Sequence, residues 1–138
     1  MNILYKSAFE LARLIKAGEL SSVQVVKFYL DRIARFNSDL NAVVVSDAQS
    51  ALARAEEADK AAAAGEDWGP LHGVPLTIKD ALATKGLVTV GGIPARAGQI
   101  PEKDAVAVGR YRAAGAIILG KTNVPFMSAD LQSYNEVY

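Results

Sequence analysis

Gly69-Pro70-Leu71-His72-Gly73-Val74-Pro75-Leu76-Thr77-Ile78-Lys79-Asp80 decides how this chain folds. Gly69, Pro70 and Gly73 open the stretch as a turn, because neither residue type sustains a helix. Val74, Leu76 and Ile78 then alternate with Pro75, Thr77 and Lys79. That period of two, rich in β-branched residues, predicts a strand. Pro75 has no N–H for a ladder, so it belongs at the first positions of that strand. Lys79 falls at the strand's C-terminal end, where open α/β sheets place their sites. A lysine there has two readings. Its stem can lie along the apolar strand with the ammonium in solvent. Alternatively the ammonium is held beside a reacting group, where burial lets the neutral amine act as a base.

Upstream, Asn41 to Ser46 contains the apolar run Ala42-Val43-Val44-Val45, a short buried strand. Asp47 is placed to cap the alanine-rich helix that follows, roughly Ala48 to Ala64, with Leu52, Ala55 and Ala58 on one face. A strand, a helix and a strand predict a right-handed crossover, with Val43–Val45 and Leu76–Lys79 parallel in one sheet, either adjacent or separated by another strand. Further back, Ser7-Ala8-Phe9-Glu10 and Ser21-Ser22-Val23-Gln24 each read as a capping box. They open two amphipathic helices. Gly18 ends the first, and Val26, Tyr29, Leu30 and Ile33 form the inner stripe of the second.

Downstream, Gly86, Gly91, Gly92, Pro94, Gly98 and Pro101 mark a long irregular connection from Ala81 to Lys103, either a site-lining segment or a mobile surface loop. Asp104 is expected to cap a short helix through Ala114, with Ala105, Val108 and Tyr111 on one side and Gly115 as its stop. Ile117–Leu119 reads as a further buried strand. The alternation of helices and strands predicts an α/β fold, with helices packed on a mixed, largely parallel sheet, in one domain over residues 1–138.

Several segments together resemble one family. Beside the Gly69–Asp80 stretch stand Gly86-Leu87-Val88-Thr89, Asp104-Ala105, Ala113-Ala114-Gly115-Ala116, Gly120-Lys121-Thr122-Asn123-Val124-Pro125 and Gln132-Ser133-Tyr134-Asn135. In this order they resemble the N-terminal portion of the amidase signature family over nearly the whole chain. The resemblance implies hydrolysis of a carboxamide through a nucleophilic serine, a serine in a cis peptide and a lysine, with Lys79 as that lysine. It implies no cofactor and a small-molecule amide substrate. It also places Phe126-Met127-Ser128-Ala129-Asp130 near the substrate, which makes Met127 and Ser128 pocket candidates beside the ordinary reading of packing and capping. Many relatives have Pro-Glu-Phe where this chain has Pro125-Phe126-Met127, so the glutamate's contacts do not carry over. The family's serine-rich segment is expected after Tyr138. Ser128 and Ser133 lack the glycine neighbours that let backbone amides approach an oxyanion.

Other readings are weaker. Gly115-Ala116-Ile117-Ile118-Leu119-Gly120-Lys121-Thr122 satisfies the phosphate-loop pattern, a remote nucleotide-binding alternative. Its central residues read as a strand, and Asn123-Val124-Pro125 breaks the helix that pattern needs. His72, the only histidine, lies in a turn with no evident Ser or Asp partner. The family mechanism uses no histidine, and local turn hydrogen bonds are its expected role. Asp80 reads as a structural acceptor, because it points away from Lys79. Lys121 receives no proton-transfer role from the resemblance. Thr122 and Asn123 are expected to fix the local turn.

The totals exclude whole classes. No cysteine means no disulfide framework, and one histidine with no cysteine is too few ligands for a structural zinc site of the Cys/His type. A formal net charge of zero gives no bulk attraction to nucleic acid. No apolar run approaches a membrane span, and Met1-Asn2-Ile3-Leu4-Tyr5-Lys6 lacks the core of a signal peptide. A cytoplasmic setting is the expectation. A partial family sheet would leave strand edges and apolar faces uncovered, so self-association is expected. A non-catalytic binding or assembly module is the alternative to an enzyme.

Overall fold

The computed structural model describes residues 3–138; Met1 and Asn2, at the head of the stretch read for a signal segment, lie outside the described residues. Helix α1, Ala8–Lys16, starts at a complete capping box between Ser7 and Glu10. Helix α2, Ser22–Leu40, starts at another between Ser21 and Gln24. Its start is capped a second time, because Asp59 accepts from the N–H groups of Ser22 and Val23 at 2.6 and 3.1 Å. A carboxylate at a helix N-terminus satisfies orphan donors and meets the positive end of the dipole. Asp59 belongs to α3, Ala48–Ala63, so the contact also fixes how the two helices cross. Asp47 caps α3 as expected, accepting from Ser50 N–H.

Strands β1, Val43–Ser46, β2, Pro75–Lys79, and β3, Ile117–Thr122, form one sheet in the order β1-β3-β2. β2 runs parallel to β3, with Pro75 opposite Ile117 and Lys79 opposite Thr122. β1 runs antiparallel to β3, with Val43 opposite Thr122 and Ser46 opposite Gly120. β1 and β2 therefore point in opposite directions, which corrects the expectation of a parallel crossover between them. The cause is the course of α3. Asp47 N–H donates to Leu119 O, so α3 begins beside the middle of β3. Further along, the Ala58 carbonyl meets His72, and Gly73 N–H donates to Gly115 O just ahead of β3. The helix thus continues in the direction of β1 instead of doubling back. The parallel crossover is the one from β2 to β3, with α4, Val106–Ala113, between them.

Alanines decide the packing of α3. Ala51, Ala55 and Ala58 are buried against Val26, Ile117 and Leu119, so α3 lies close over both α2 and β3. On α2, Val26 is fully buried, while Tyr29, Leu30 and Ile33 complete the stripe as partly buried residues. A second cluster joins Leu11, Ala12 and Ile15 of α1 to Val25 and Val74, and a third joins Ile78, Val108 and Ile118. The turn before β2 reaches the start of β3 through Leu71 N–H to Ala114 O at 2.8 Å. Gly115 makes that approach possible: its φ is +89°, and a Cβ there would lie 2.9 Å from His72 Cα.

Asp104 does not cap α4. The residue at that cap is Ala105, with no side-chain bond. Asp104 instead accepts from Lys85 N–H at 2.7 Å and from the Arg112 guanidinium at 3.0 Å, tying the long connection to the far end of the helix. Of the stripe expected on α4, Val108 alone is fully buried; Tyr111 is exposed.

Candidate functional site

Lys79 is the last residue of β2 and is exposed, between two buried neighbours, Ile78 and Asp80. Alternation along the strand explains this: Ile78, packed against Val108 of α4, and Asp80 lie on one face, and Lys79 takes the other. Its backbone is held on both sides, by the pairing with Thr122 and by Asp80 N–H donating to Thr122 O at 2.9 Å. Among the described residues no hydrogen bond or ion pair engages its ammonium. The arrangement is a fixed strand end carrying an exposed side chain.

Asp80 is fully buried and accepts as expected: its Oδ2 takes the N–H groups of Val90 and Gly91 at 3.1 and 3.0 Å. Its counter-charge is not the adjacent Lys79 but Lys121 of β3, whose ammonium lies 3.7 Å from Asp80 Oδ1, both side chains wholly buried. The Lys121 ammonium also donates to Leu82 O and to Thr89 Oγ1, each at 2.7 Å. Burial pushes the Lys121 amine down to about 8, against the opposing pull of Asp80. The hydroxyl of Tyr138 is buried beside the same carboxylate. Burial first, and the negative charge of Asp80 second, push it up to about 12. Sequence reasoning missed this pair because its members are far apart in the chain. A signal was present: Lys121 follows the buried run Ala116–Gly120, apolar on both faces, where a charge needs a partner.

Met127 and Ser128 occupy a single 3-10 turn, Phe126–Ser128, and both are exposed. Their φ angles are +51° and +60°, left-handed values that non-glycine residues seldom adopt. Met127 N–H donates to Gly91 O at 3.0 Å. Gly92 packs against the turn so closely that a Cβ there would lie 3.1 Å from Phe126 Cα. Beside the turn opens a cleft of about 500 Å³ lined by Gly92, Pro94, Phe126, Asp130, Tyr134 and Asn135, among others. Lys79, Met127 and Ser128 are not among its lining residues. The connection between Lys79 and the turn runs through the backbone: Asp80 holds Gly91, and Gly91 holds Met127.

His72 is almost wholly buried. Its Nδ1 accepts from Trp68 N–H, and its Nε2 meets Ala58 O, both at 3.0 Å. That network assigns the neutral ring with its proton on Nε2. Asp67 does come near, 3.9 Å from Nδ1, but that nitrogen is already committed. His72 clips the turn to α3. The phosphate-loop pattern fails as read: Ile117–Thr122 is β3, and its amides serve the ladder. Asn123 fixes the following turn, its Oδ1 accepting from Val124 N–H and from the Asn135 side chain. Among the described residues there is no group of three or more His, Cys, Asp or Glu able to hold a metal, and no helix long and apolar enough to cross a membrane.

Known proteins bear on this arrangement. The sequence profile of the family described as Amidase matches residues 24–138. The chain is 39% identical over 137 residues to a glutamyl-tRNA(Gln) amidotransferase subunit from Acidothermus cellulolyticus, covering 99% of this chain and 27% of that protein. It is 43% identical over 122 residues to indoleacetamide hydrolase of Bradyrhizobium diazoefficiens, covering 88% of this chain and 23% of that one. It matches the solved structure of a fatty acid amide hydrolase with a TM-score of 0.91 and 33% identity, over 98% of this chain and 24% of that chain. The chain thus spans about a quarter of the length of these relatives.

Proposed function

This chain belongs to the amidase family, and from that premise we propose that it forms part of an enzyme hydrolysing a carboxamide to a carboxylic acid and ammonia or an amine, with Lys79 as the proton-transfer base. The observation that supports this reading is the family match over residues 24–138, with Lys79 exposed on a strand end whose next residue is locked in the core. A base must be placed firmly while its reacting atom stays open to a partner.

In this mechanism the neutral Lys79 amine takes a proton relayed through a serine held in a cis peptide. The nucleophilic serine oxygen then attacks the amide carbon. Backbone amides stabilise the oxyanion, the amine leaves with a proton, and water releases the acid from the acyl-enzyme. Both serines are assigned to the part of the family fold outside these residues. Ser128 sits on an exposed turn between Met127 and Ala129, without the glycine-rich backbone an oxyanion hole needs.

The test is hydrolysis of a panel of simple aryl, aliphatic and fatty-acyl amides by the full-length protein and by residues 1–138, with released acid and ammonia or amine both quantified. The full-length protein is expected to turn over at least one member, and the 138-residue chain none. Turnover by the shorter chain that disappears on Ser128→Ala or Ser133→Ala overturns this assignment of the nucleophile.

A further inference from the structure

Two buried charges sit directly behind the proposed base. The Asp80 carboxylate and the Lys121 ammonium are both at zero exposure, 3.7 Å apart. Buried ion pairs are poor devices for stability alone, since apolar residues of similar volume often serve as well or better. This pair does something an apolar pair cannot: its hydrogen bonds gather three segments. Lys121 binds Leu82 O and Thr89 Oγ1. Asp80 binds the amides of Val90 and Gly91. Gly91 O in turn receives Met127 N–H, in the turn with two successive left-handed residues. A strained turn of that kind persists where its surroundings over-determine it.

We propose that Asp80, held by Lys121, is a positioning residue for the proposed hydrolysis: it locks the Lys79 end of β2 and the Phe126–Ser128 turn into one frame. The inference rests on the reading of Lys79 as the base. Its second consequence is electrostatic. Paired, the two opposite charges, 3.7 Å apart, offset one another. Unpaired, the Asp80 carboxylate, one residue away in a poorly screened interior, would favour the protonated form of Lys79. The other titratable groups near the pair are Tyr138, beside Asp80, and Asp104, which acts on Lys121 from the start of α4.

The experiment uses the full-length enzyme and four variants, Lys121→Met, Asp80→Asn, the two combined, and Lys79→Ala. The readouts are kcat and KM against pH, together with thermal melting. Lys121→Met is expected to move the acid limb of kcat/KM to higher pH. Adding Asp80→Asn to it is expected to return the limb to its original place, because the pair is then neutral. A merely structural role does not produce that reversal. Asp80→Asn alone turns an amide NH2 toward the ammonium and loosens the frame. It is expected to lower kcat by about 10–100-fold with little change in KM, the scale of a misplaced catalytic group. If Lys121→Met fails to fold, Asp80→Asn still decides. Native-like melting with unchanged kcat and pH profile in Asp80→Asn overturns the proposal. So does an acid limb that Lys121→Met leaves in place while Lys79→Ala remains inactive. Full activity in Lys79→Ala instead overturns the assignment of the base, and this inference with it.

Discussion

Lys79 and Asp80 share a peptide bond and have opposite surroundings: Lys79 is exposed at the end of β2, while Asp80 is fully buried and faces Lys121 across to β3. One strand end thus presents an amine outward and anchors itself inward. The asymmetry follows from the alternation of side chains along β2, so the anchor and the amine cannot exchange roles without a shift of register.

Breaking the anchor destabilises the fold more than replacing it. Asp80→Ala leaves the Lys121 ammonium buried without its partner and the Val90 and Gly91 amides without an acceptor. The expected loss is about 3–5 kcal/mol. Substituting both residues by neutral side chains of similar size is expected to leave stability within about 1–2 kcal/mol of the original. Urea denaturation of the single and double variants measures both, and a single variant as stable as the double contradicts the pairing.

The same pair predicts a pH dependence. Lys121 holds its proton up to 10.5 when unfolded but only to about 8 when folded. Between those values the unfolded chain binds more protons, so stability rises with pH across that window and the gain is lost again as pH falls through the folded value. Tyr138 acts in the opposite sense higher up, raised from 10.0 to about 12. It stabilises below its unfolded value and loses that contribution as pH rises through its folded one. Urea midpoints followed from neutral pH towards 10 should climb relative to those of Lys121→Met; parallel curves would count against a depressed Lys121.

How much of this was legible in the sequence differs by element. Capping boxes at Ser7 and Ser21 fix helix starts locally, and both stand in the structure. The alternation of Leu76 to Lys79 fixes β2 in the same local way. The direction of β1 was not legible, because the apolar period of α3 says which face it buries and not whether it returns along β1 or runs on. The cap on α4 failed for a tertiary reason: the Asp104 carboxylate is taken by Lys85 and Arg112. In the candidate site, the strand-end position of Lys79 was legible from the alternation along β2, and Asp80 as an acceptor from its face. Lys121 carried a signal, a charge after an apolar run, but nothing local names its partner on a separate strand. Met127 and Ser128 carry no pattern that announces left-handed backbone.

His72 gives a contrast between structure and chemistry. Both of its ring nitrogens are engaged, one to Trp68 and one to Ala58. His72→Ala leaves that buried donor and acceptor unmet, for an expected loss of about 1–3 kcal/mol each. In the full-length enzyme kcat per folded molecule is expected to stay unchanged. Denaturation paired with kinetics checks this, and a stable but inactive variant would restore His72 as a chemical group.

The surface of the 138-residue chain predicts association. Leu131 is 99% exposed, Tyr134 70% and Met127 63%, all in one C-terminal segment. The outer sides of β1 and β2 carry no further strand among the described residues. Free edges and contiguous apolar surface recruit other chains. Light scattering over a concentration series should show the apparent mass of residues 1–138 rising, and a Leu131→Lys variant should rise less. A monomer that melts cooperatively at high concentration runs against this expectation.

The most direct measurement compares hydrolysis of a simple amide by full-length wild type and by Lys79→Ala across the pH range, with folding monitored by thermal melting. A positioned base contributes about 10²–10⁴-fold to such a rate. Lys79→Ala is therefore expected to lose at least that factor in kcat while melting like the wild type, because among the described residues no hydrogen bond or ion pair engages its exposed side chain. Equal rates for the two proteins would remove Lys79 from the chemistry.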